Sequence, residues 1–272
     1  MRRLAVAATA PLGADVLARL AENHEIAYLL TRPDRPRGRG RRVAPTPAKE
    51  AAKRLGIEVR QPEGLDDAFD PEVDTVVAAA YGLLIPEAVL ERALWLNVHP
   101  SLLPRWRGAA PIERALMAGD AETGVSIIKL VPELDAGPIA AQRAFPLGEE
   151  DDFGTVSARA GELAAELLEQ ALPEPELTPQ PEEGLTYAAK IGPEDRELDW
   201  SRSPAELLNR IRALSPHIGA KGLVDGRMLT VWRAAPAEPG AALMAGGLEL
   251  LEVQPEGRRR MSGEEYLRGL RD

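Results

Sequence analysis

The stretch NVHPSLLPRWRGAAPIERA, residues 97–115, follows directly on the apolar run LWLNV, residues 94–98, and decides how the chain is read. A short apolar run that ends in a proline-framed loop has the pattern of a buried parallel strand leaving its sheet. Asn97 and His99 stand two positions apart, so on a strand they project from one face. In open α/β sheets, ligands bind outside the carboxyl ends of the strands. An amide donor beside an imidazole at such a place can stabilise an oxyanion on a carbonyl carbon. The same spacing suits an asparagine that caps a turn and a histidine that satisfies a backbone carbonyl. Spacing alone leaves both readings open.

Working outward, residues 4–8 (LAVAA), 25–30 (EIAYLL) and 73–80 (VDTVVAAA) are further apolar runs suited to buried strands. Helix-like segments over 14–22, 46–55 and 86–92 alternate with them. Thr46 and Pro47 make a good cap and first helical position, with Gly56 as the stop. Strand alternating with helix predicts βαβ units, and so an α/β, Rossmann-like open sheet of mostly parallel strands. TGVSIIKLV and GPIAAQRAFPL read as two more strands joined by the turn PELDA. A carboxylate at Asp135 in that turn can orient His99, act on a water, or only start the turn before Gly137. Phe153–Ala171 carries Val156, Leu163, Leu167 and Leu168 at helical spacing and closes a first domain, residues 1–171.

LPEPELTPQPEEG, residues 172–184, is acidic and rich in proline, which predicts an extended, semi-rigid linker over 172–186. Residues 187–272 then read as a small β-rich domain. It has one helix, Pro204–Leu214, capped by Ser203. Strand-like runs lie around Leu223, at 228–232 and at 248–253.

At 272 residues the chain can bury a sizeable core, and it contains no cysteine. That removes disulfides, thiolate zinc sites and a cysteine nucleophile, and it accords with a cytoplasmic setting. The start, MRRLAVAATAPLGADV, reads as a first strand rather than a signal peptide, and no run approaches the ~18 apolar residues of a membrane span. A net charge of −10 weighs against a nucleic-acid partner only if it is spread evenly. Screening acts over about 8 Å, so a local patch matters more. TRPDRPRGRGRR, residues 31–42, sets Arg32, Arg35, Arg37, Arg39, Arg41 and Arg42 against the single acid Asp34.

The segment NVHPSLLPRWRGAAPIERALMAGDAETGVSIIKLVPELDAGPI resembles the catalytic core of the 10-formyltetrahydrofolate-dependent formyltransferases. It carries the family's Asn-x-His pair, Ser-Leu-Leu-Pro loop, Arg-Gly-Ala-x-Pro-Ile helix start and distant Leu-Asp-x-Gly, in order. The likeness covers nearly the whole chain and is strongest to members that formylate methionyl-tRNA. It implies transfer of a formyl group from 10-formyltetrahydrofolate to the α-amino group of initiator methionyl-tRNA, by direct attack of the amine. Asn97, His99 and Asp135 would be catalytic. Ser101, Leu102, Leu103 and Pro104, with Tyr81, Gly82 and Leu83, would hold the folate. Arg35, Arg37, Arg39, Arg41 and Arg42 would meet the tRNA. The second domain would be an OB-like tRNA-binding barrel. No metal and no membrane are implied, and a monomer is expected.

Three departures stand out. The first βα turn reads AATAPLGADVL where the tRNA enzymes have a Gly-Thr-Pro-x-Phe segment. LSPHIGA places His217 where an aromatic is common. The second domain is short, so the barrel is expected to be trimmed or partly open. The rivals are a formyltransferase acting on an amino sugar nucleotide and a non-catalytic RNA-binding protein on the same core.

Overall fold

A computed structural model of the chain describes residues 1–37, 42–172 and 174–270. It divides into two compact units, the first comprising Met1–Arg107, Gly124–Ala144 and Ala158–Thr186, the second Gly108–Thr123, Phe145–Ser157 and Tyr187–Asp272. Along the chain, β1 (Arg3–Ala8), α1 (Pro11–Asn23) and β2 (Glu25–Leu30) form a βαβ unit. The hairpin of β3 (Arg35–Arg37) and β4 (Arg42–Ala44) follows, then α2 (Pro47–Leu55) and β5 (Val59–Arg60). Next come β6 (Thr75–Ala79), α3 (Glu87–Leu90) and β7 (Leu94–His99). After them lie β8 (Arg107–Gly108), α4 (Pro111–Ala118), β9 (Glu122–Lys129), β10 (Ile139–Pro146) and α5 (Phe153–Ala171). The remainder holds β11 (Tyr187–Ala188), a 3-10 turn at Glu194–Arg196 and α6 (Pro204–Leu214). It ends with β12 (Ala220–Val224), β13 (Arg227–Pro236), β14 (Met244–Ala245), β15 (Leu248–Pro255), β16 (Met261–Ser262) and α7 (Gly263–Arg268).

The main sheet has the order β10-β9-β7-β6-β1-β2-β5. β7, β6, β1, β2 and β5 run parallel, and β9 joins β7 antiparallel. The chain builds outward from β1 to β2 and β5, then crosses to β6 on the other side, so the strand order reverses at β1 and β6. That reversal opens a crevice at the carboxyl ends of the strands. All of β6 and all but the first residue of β1 are buried, as continuous apolar runs covered on both faces must be. α1 starts three residues earlier than its apolar pattern suggests, because Pro11 serves as its first helical residue. Gly13 lets this helix sit directly on the sheet, since a Cβ there would collide with the Ala79 carbonyl and the Ala8 side chain. α2 begins and ends as its sequence predicts, with Thr46 Oγ1 accepting from the Lys49 amide and Gly56 left-handed at φ 70°. α3 is shorter than the expected 86–92, because the chain turns at Arg92 to enter β7 at Leu94.

In the second unit β12-β13-β15-β14 form an antiparallel sheet, with β16 added to β15. Register shifts on either side of Arg233 bend β13 against β15, and the sheet curls into a half-barrel rather than closing. α6 is fixed by a capping box between Ser203 and Glu206. Its Leu207, Ile211 and Leu214 join Leu229, Val231, Leu250 and Val253 in one core.

The proline-rich segment forms no helix or strand over 174–186, but it is tied to the first unit. Thr178 pairs with Ile139 through both backbone hydrogen bonds, at 2.7 and 2.9 Å. The arginine-rich stretch forms the β3–β4 hairpin at either end of the undescribed residues.

Candidate active site

β7 carries Asn97 and His99 to the carboxyl edge of the main sheet, between β6 and β9. Asn97 lies opposite Ala78 and Ile128, and His99 opposite Ser126. Among the described residues the half-buried Asn97 amide makes no side-chain hydrogen bond. His99 is 4% exposed and engaged at both ring nitrogens. Its Nδ1 lies 3.5 Å from Asp135 Oδ2, and its Nε2 lies 2.8 Å from the Trp106 carbonyl oxygen.

A carbonyl can only accept, so Nε2 carries a hydrogen and donates it to Trp106. In a neutral ring, Nδ1 would then turn a lone pair toward the Asp135 carboxyl. The contact is attractive only with a proton between the two, borne by the ring or by the acid. The Asp135 carboxyl therefore stands where it can share a proton with the His99 ring.

The backbone at this pair is unusual. Asp135 has φ 48° and Trp106 φ 66°, both in the left-handed region that ordinary side chains disfavour. Asp135 lies within the connection between β9 and β10, six residues past the end of β9, in the turn that the sequence places there. Gly137 is required there, because a Cβ would run into the Lys129 carbonyl.

The loop after β7 is built on a buried polar network. Ser101 is fully buried, and its hydroxyl donates to the Arg105 carbonyl at 2.7 Å. Ser126 Oγ donates to the Ser101 carbonyl at 2.7 Å and accepts from the Leu103 amide at 3.1 Å. The Gln142 amide donates to the Leu103 carbonyl and to Ser126 Oγ, at 3.0 and 2.7 Å. Leu103 and Pro104 are buried and Leu102 half-buried. The Ser101 hydroxyl is thus spent on the loop's own shape, which leaves backbone groups and apolar side chains to face a ligand.

Tyr81, Gly82 and Leu83 follow β6. Thr9 donates to the Tyr81 carbonyl at 2.8 Å, joining the ends of β1 and β6. The Tyr81 ring is buried and, among the described residues, its hydroxyl has no partner; burial pushes its ionisation up to about 12. Ala80 at φ 49° and Gly82 at φ 75° turn the chain sharply on either side of it.

In the arginine hairpin, Arg35 is exposed on β3. Arg39 and Arg41 lie outside the described residues, as do the side chains of Arg37 and Arg42. The one acid of the stretch, Asp34, is taken up by Lys49 at 2.6 Å and by Gln61 at 2.8 Å. Those hydrogen bonds, from Lys49 first, hold its carboxyl below the usual carboxylate range. Asp34 is therefore committed to Lys49 and Gln61.

Sequence reasoning missed the Trp106 carbonyl and the Gln142–Ser126 network. A backbone acceptor leaves no mark in a sequence, and a serine and glutamine on neighbouring strands carry no spacing signal.

A family model described as "Formyl transferase" matches residues 2–172, and one described as "Formyl transferase, C-terminal domain" matches residues 190–271. The chain belongs to the formyl transferase family. Among relatives of this formyl transferase, the "Methionyl-tRNA formyltransferase" of Dechloromonas aromatica is 42% identical over 271 residues, covering 90% of this chain and 88% of the relative. That of Paracoccus denitrificans is 41% identical over 276 residues, 93% of each chain. The fold is shared with HypX from Aquifex aeolicus, solved in complex with tetrahydrofolic acid, at a TM-score of 0.70 and 21% identity. That likeness covers 98% of this chain and 47% of the HypX chain, so the chain spans about half of HypX.

Proposed function

We propose that this chain transfers the formyl group of 10-formyltetrahydrofolate to the α-amino group of initiator methionyl-tRNA. The observation that carries the chemistry is the His99–Asp135 pair beside the unengaged Asn97 amide, at the carboxyl edge of the sheet. The acceptor follows from relatives about 40% identical along nearly the whole chain, named for methionyl-tRNA.

A free α-amine has a reference pKa of about 8, so a useful fraction is neutral at pH 7 and attacks without a covalent enzyme intermediate. The tetrahedral adduct carries an oxyanion, to which the Asn97 amide donates; one such donor is worth ~3–4 kcal/mol in the transition state. His99 has both nitrogens committed, so its part is to hold the Asp135 carboxyl and the proton between them. Asp135 takes the proton lost by the attacking nitrogen, and the pair returns one to N10 of the folate as the C–N bond breaks. Proton count and charge balance over the cycle.

The folate would lie against the backbone of Tyr81, Gly82 and Leu83 and the loop from Ser101 to Pro104. Arg35, Arg37, Arg39, Arg41 and Arg42 would meet the acceptor end of the tRNA. Residues 1–171 would be the catalytic domain, 172–186 the connector, and 187–272 a shortened tRNA-binding domain. Cytoplasmic action as a monomer fits this reading; among the described residues no helix is long and apolar enough to cross a membrane.

The test is incubation of the purified protein with 10-formyltetrahydrofolate and charged initiator tRNA, assayed for N-formylmethionine. Formylation of an amino sugar nucleotide, with none of the tRNA, would replace the acceptor named here.

A further inference from the structure

Residues 173–189 lie outside both family matches and have the composition of a spacer. Within them, Gln180 and Thr186 hold the two groups that flank His99. The Gln180 amide donates to the Asp135 carbonyl at 2.8 Å and to the Gly137 carbonyl at 2.7 Å. Its own oxygen accepts from Arg107 Nε and Nη2, at 3.0 and 2.7 Å. Thr186 Oγ1 accepts from the Trp106 amide at 2.9 Å, and the Thr186 carbonyl accepts from the Arg107 amide at 2.9 Å.

A primary amide offers two hydrogens and one carbonyl, and here each is used. Only this orientation of the Gln180 amide pairs its hydrogens with two carbonyls and its oxygen with a guanidinium. Asp135 and Trp106, the two residues in contact with the His99 ring nitrogens, both have left-handed backbones. Such conformations are disfavoured for residues that carry a side chain and persist only where surrounding structure imposes them. Gln180 supplies that constraint at Asp135 and Thr186 at Trp106, with Arg107 linking the two.

We propose that the connector is a positioning strap for the proton-holding pair, with Gln180 its central residue, so that the rate of formyl transfer depends on a side chain in the linker. This rests on the function proposed above. Gln180 touches no substrate in this scheme; it acts by setting where the Asp135 carboxyl and the Trp106 carbonyl stand around the imidazole.

The experiment compares the wild type with Gln180→Leu and Gln180→Glu. Leucine removes every hydrogen bond, whereas glutamate keeps the shape and the Arg107 contact but turns oxygens toward the two carbonyls. Small misplacements of reacting groups reduce rates by up to about 100-fold, so kcat is expected to fall ~10–100-fold, with KM for folate and for tRNA each within about twofold. The ¹⁵N resonances of the His99 ring are expected to move in both variants. If leucine prevents folding, glutamate alone decides the matter. A folded variant that keeps kcat within about twofold, a loss confined to KM, or unmoved His99 resonances would overturn the strap. A wild type that formylates nothing would strike the proposed function instead, and the His99 resonances would still decide whether Gln180 holds the pair.

Discussion

Asp135 Oδ2 stands 3.5 Å from His99 Nδ1 while the opposite ring nitrogen is held 2.8 Å from the Trp106 carbonyl. This divides the labour at the site. The ring, fixed at both ends, cannot swing to meet a substrate oxygen without losing a partner, whereas the Asn97 amide can. Asn97 is thus the expected oxyanion donor and Asp135 the expected carrier of protons.

Replacing Asn97 with alanine should lower kcat by about 10²–10³-fold with little change in folate Kd, because the lost donor acts only once negative charge has developed. Single-turnover kinetics alongside equilibrium folate binding would separate the two quantities. Near-normal turnover would remove Asn97 from the chemistry.

Removing one phosphate-contacting arginine reduces the counterions released on binding, and so flattens the dependence of log Kd on log salt by just under one unit. Arg35→Ala is expected to do so for tRNA, with formyl transfer at saturating tRNA largely retained. Unchanged slopes for alanine variants at Arg35, Arg37, Arg39, Arg41 and Arg42 alike would mean that the hairpin does not meet the tRNA backbone.

The parallel strands were legible because each is a short apolar run buried on both faces, and α2 and α6 because their caps are written in side chains, Thr46 and Gly56 in one, Ser203 and Glu206 in the other. Asn97 and His99 were legible as a pair because strand alternation puts them on one face. What escaped was structure set by backbone groups and by long-range partners. The Trp106 carbonyl engages His99 whatever side chain stands at that position, and the β3–β4 hairpin has arginines and a proline where strand formers would signal it. Gln180 sits among prolines and acids that read as a spacer, yet its amide reaches across 45 residues of sequence to Asp135. The spent Ser101 hydroxyl was hidden for the same reason, since its partner is a carbonyl four residues on.

Gly13 poses a conflict of known sign. Alanine in its place should strengthen α1 by up to ~1 kcal/mol on propensity alone. Its methyl would meet the Ala79 carbonyl and the Ala8 side chain, and overpacking of this kind costs ~1–3 kcal/mol. The clash should prevail, because Ala79 is strand backbone that cannot rotate aside. Gly13→Ala is therefore expected to lower Tm by a few degrees, ~2–4 °C per kcal/mol in a chain of this order of size. A raised Tm in a thermal melt would show instead that α1 can slide on the sheet.

In the second unit, Arg114 donates to both carboxylate oxygens of Asp195, at 2.7 Å each, and the Gly192 amide adds a third hydrogen bond at 2.9 Å. The Arg114 hydrogen bonds foremost hold the Asp195 carboxyl below the usual carboxylate range. A carboxyl depressed on folding binds fewer protons folded than unfolded near its titration. Its stabilisation is complete above the unfolded value of about 3.9, and it is lost as pH falls through the folded value. The pair is mostly shielded, with side chains 21% and 15% exposed, so Arg114→Met should cost about 1–3 kcal/mol near neutrality. Urea midpoints of the two proteins should then stay apart from about pH 6 down to about 3.9 and converge as pH is lowered below it. A gap that stayed constant below about 3.9 as well would assign the effect to packing of the Arg114 stem rather than to its charge.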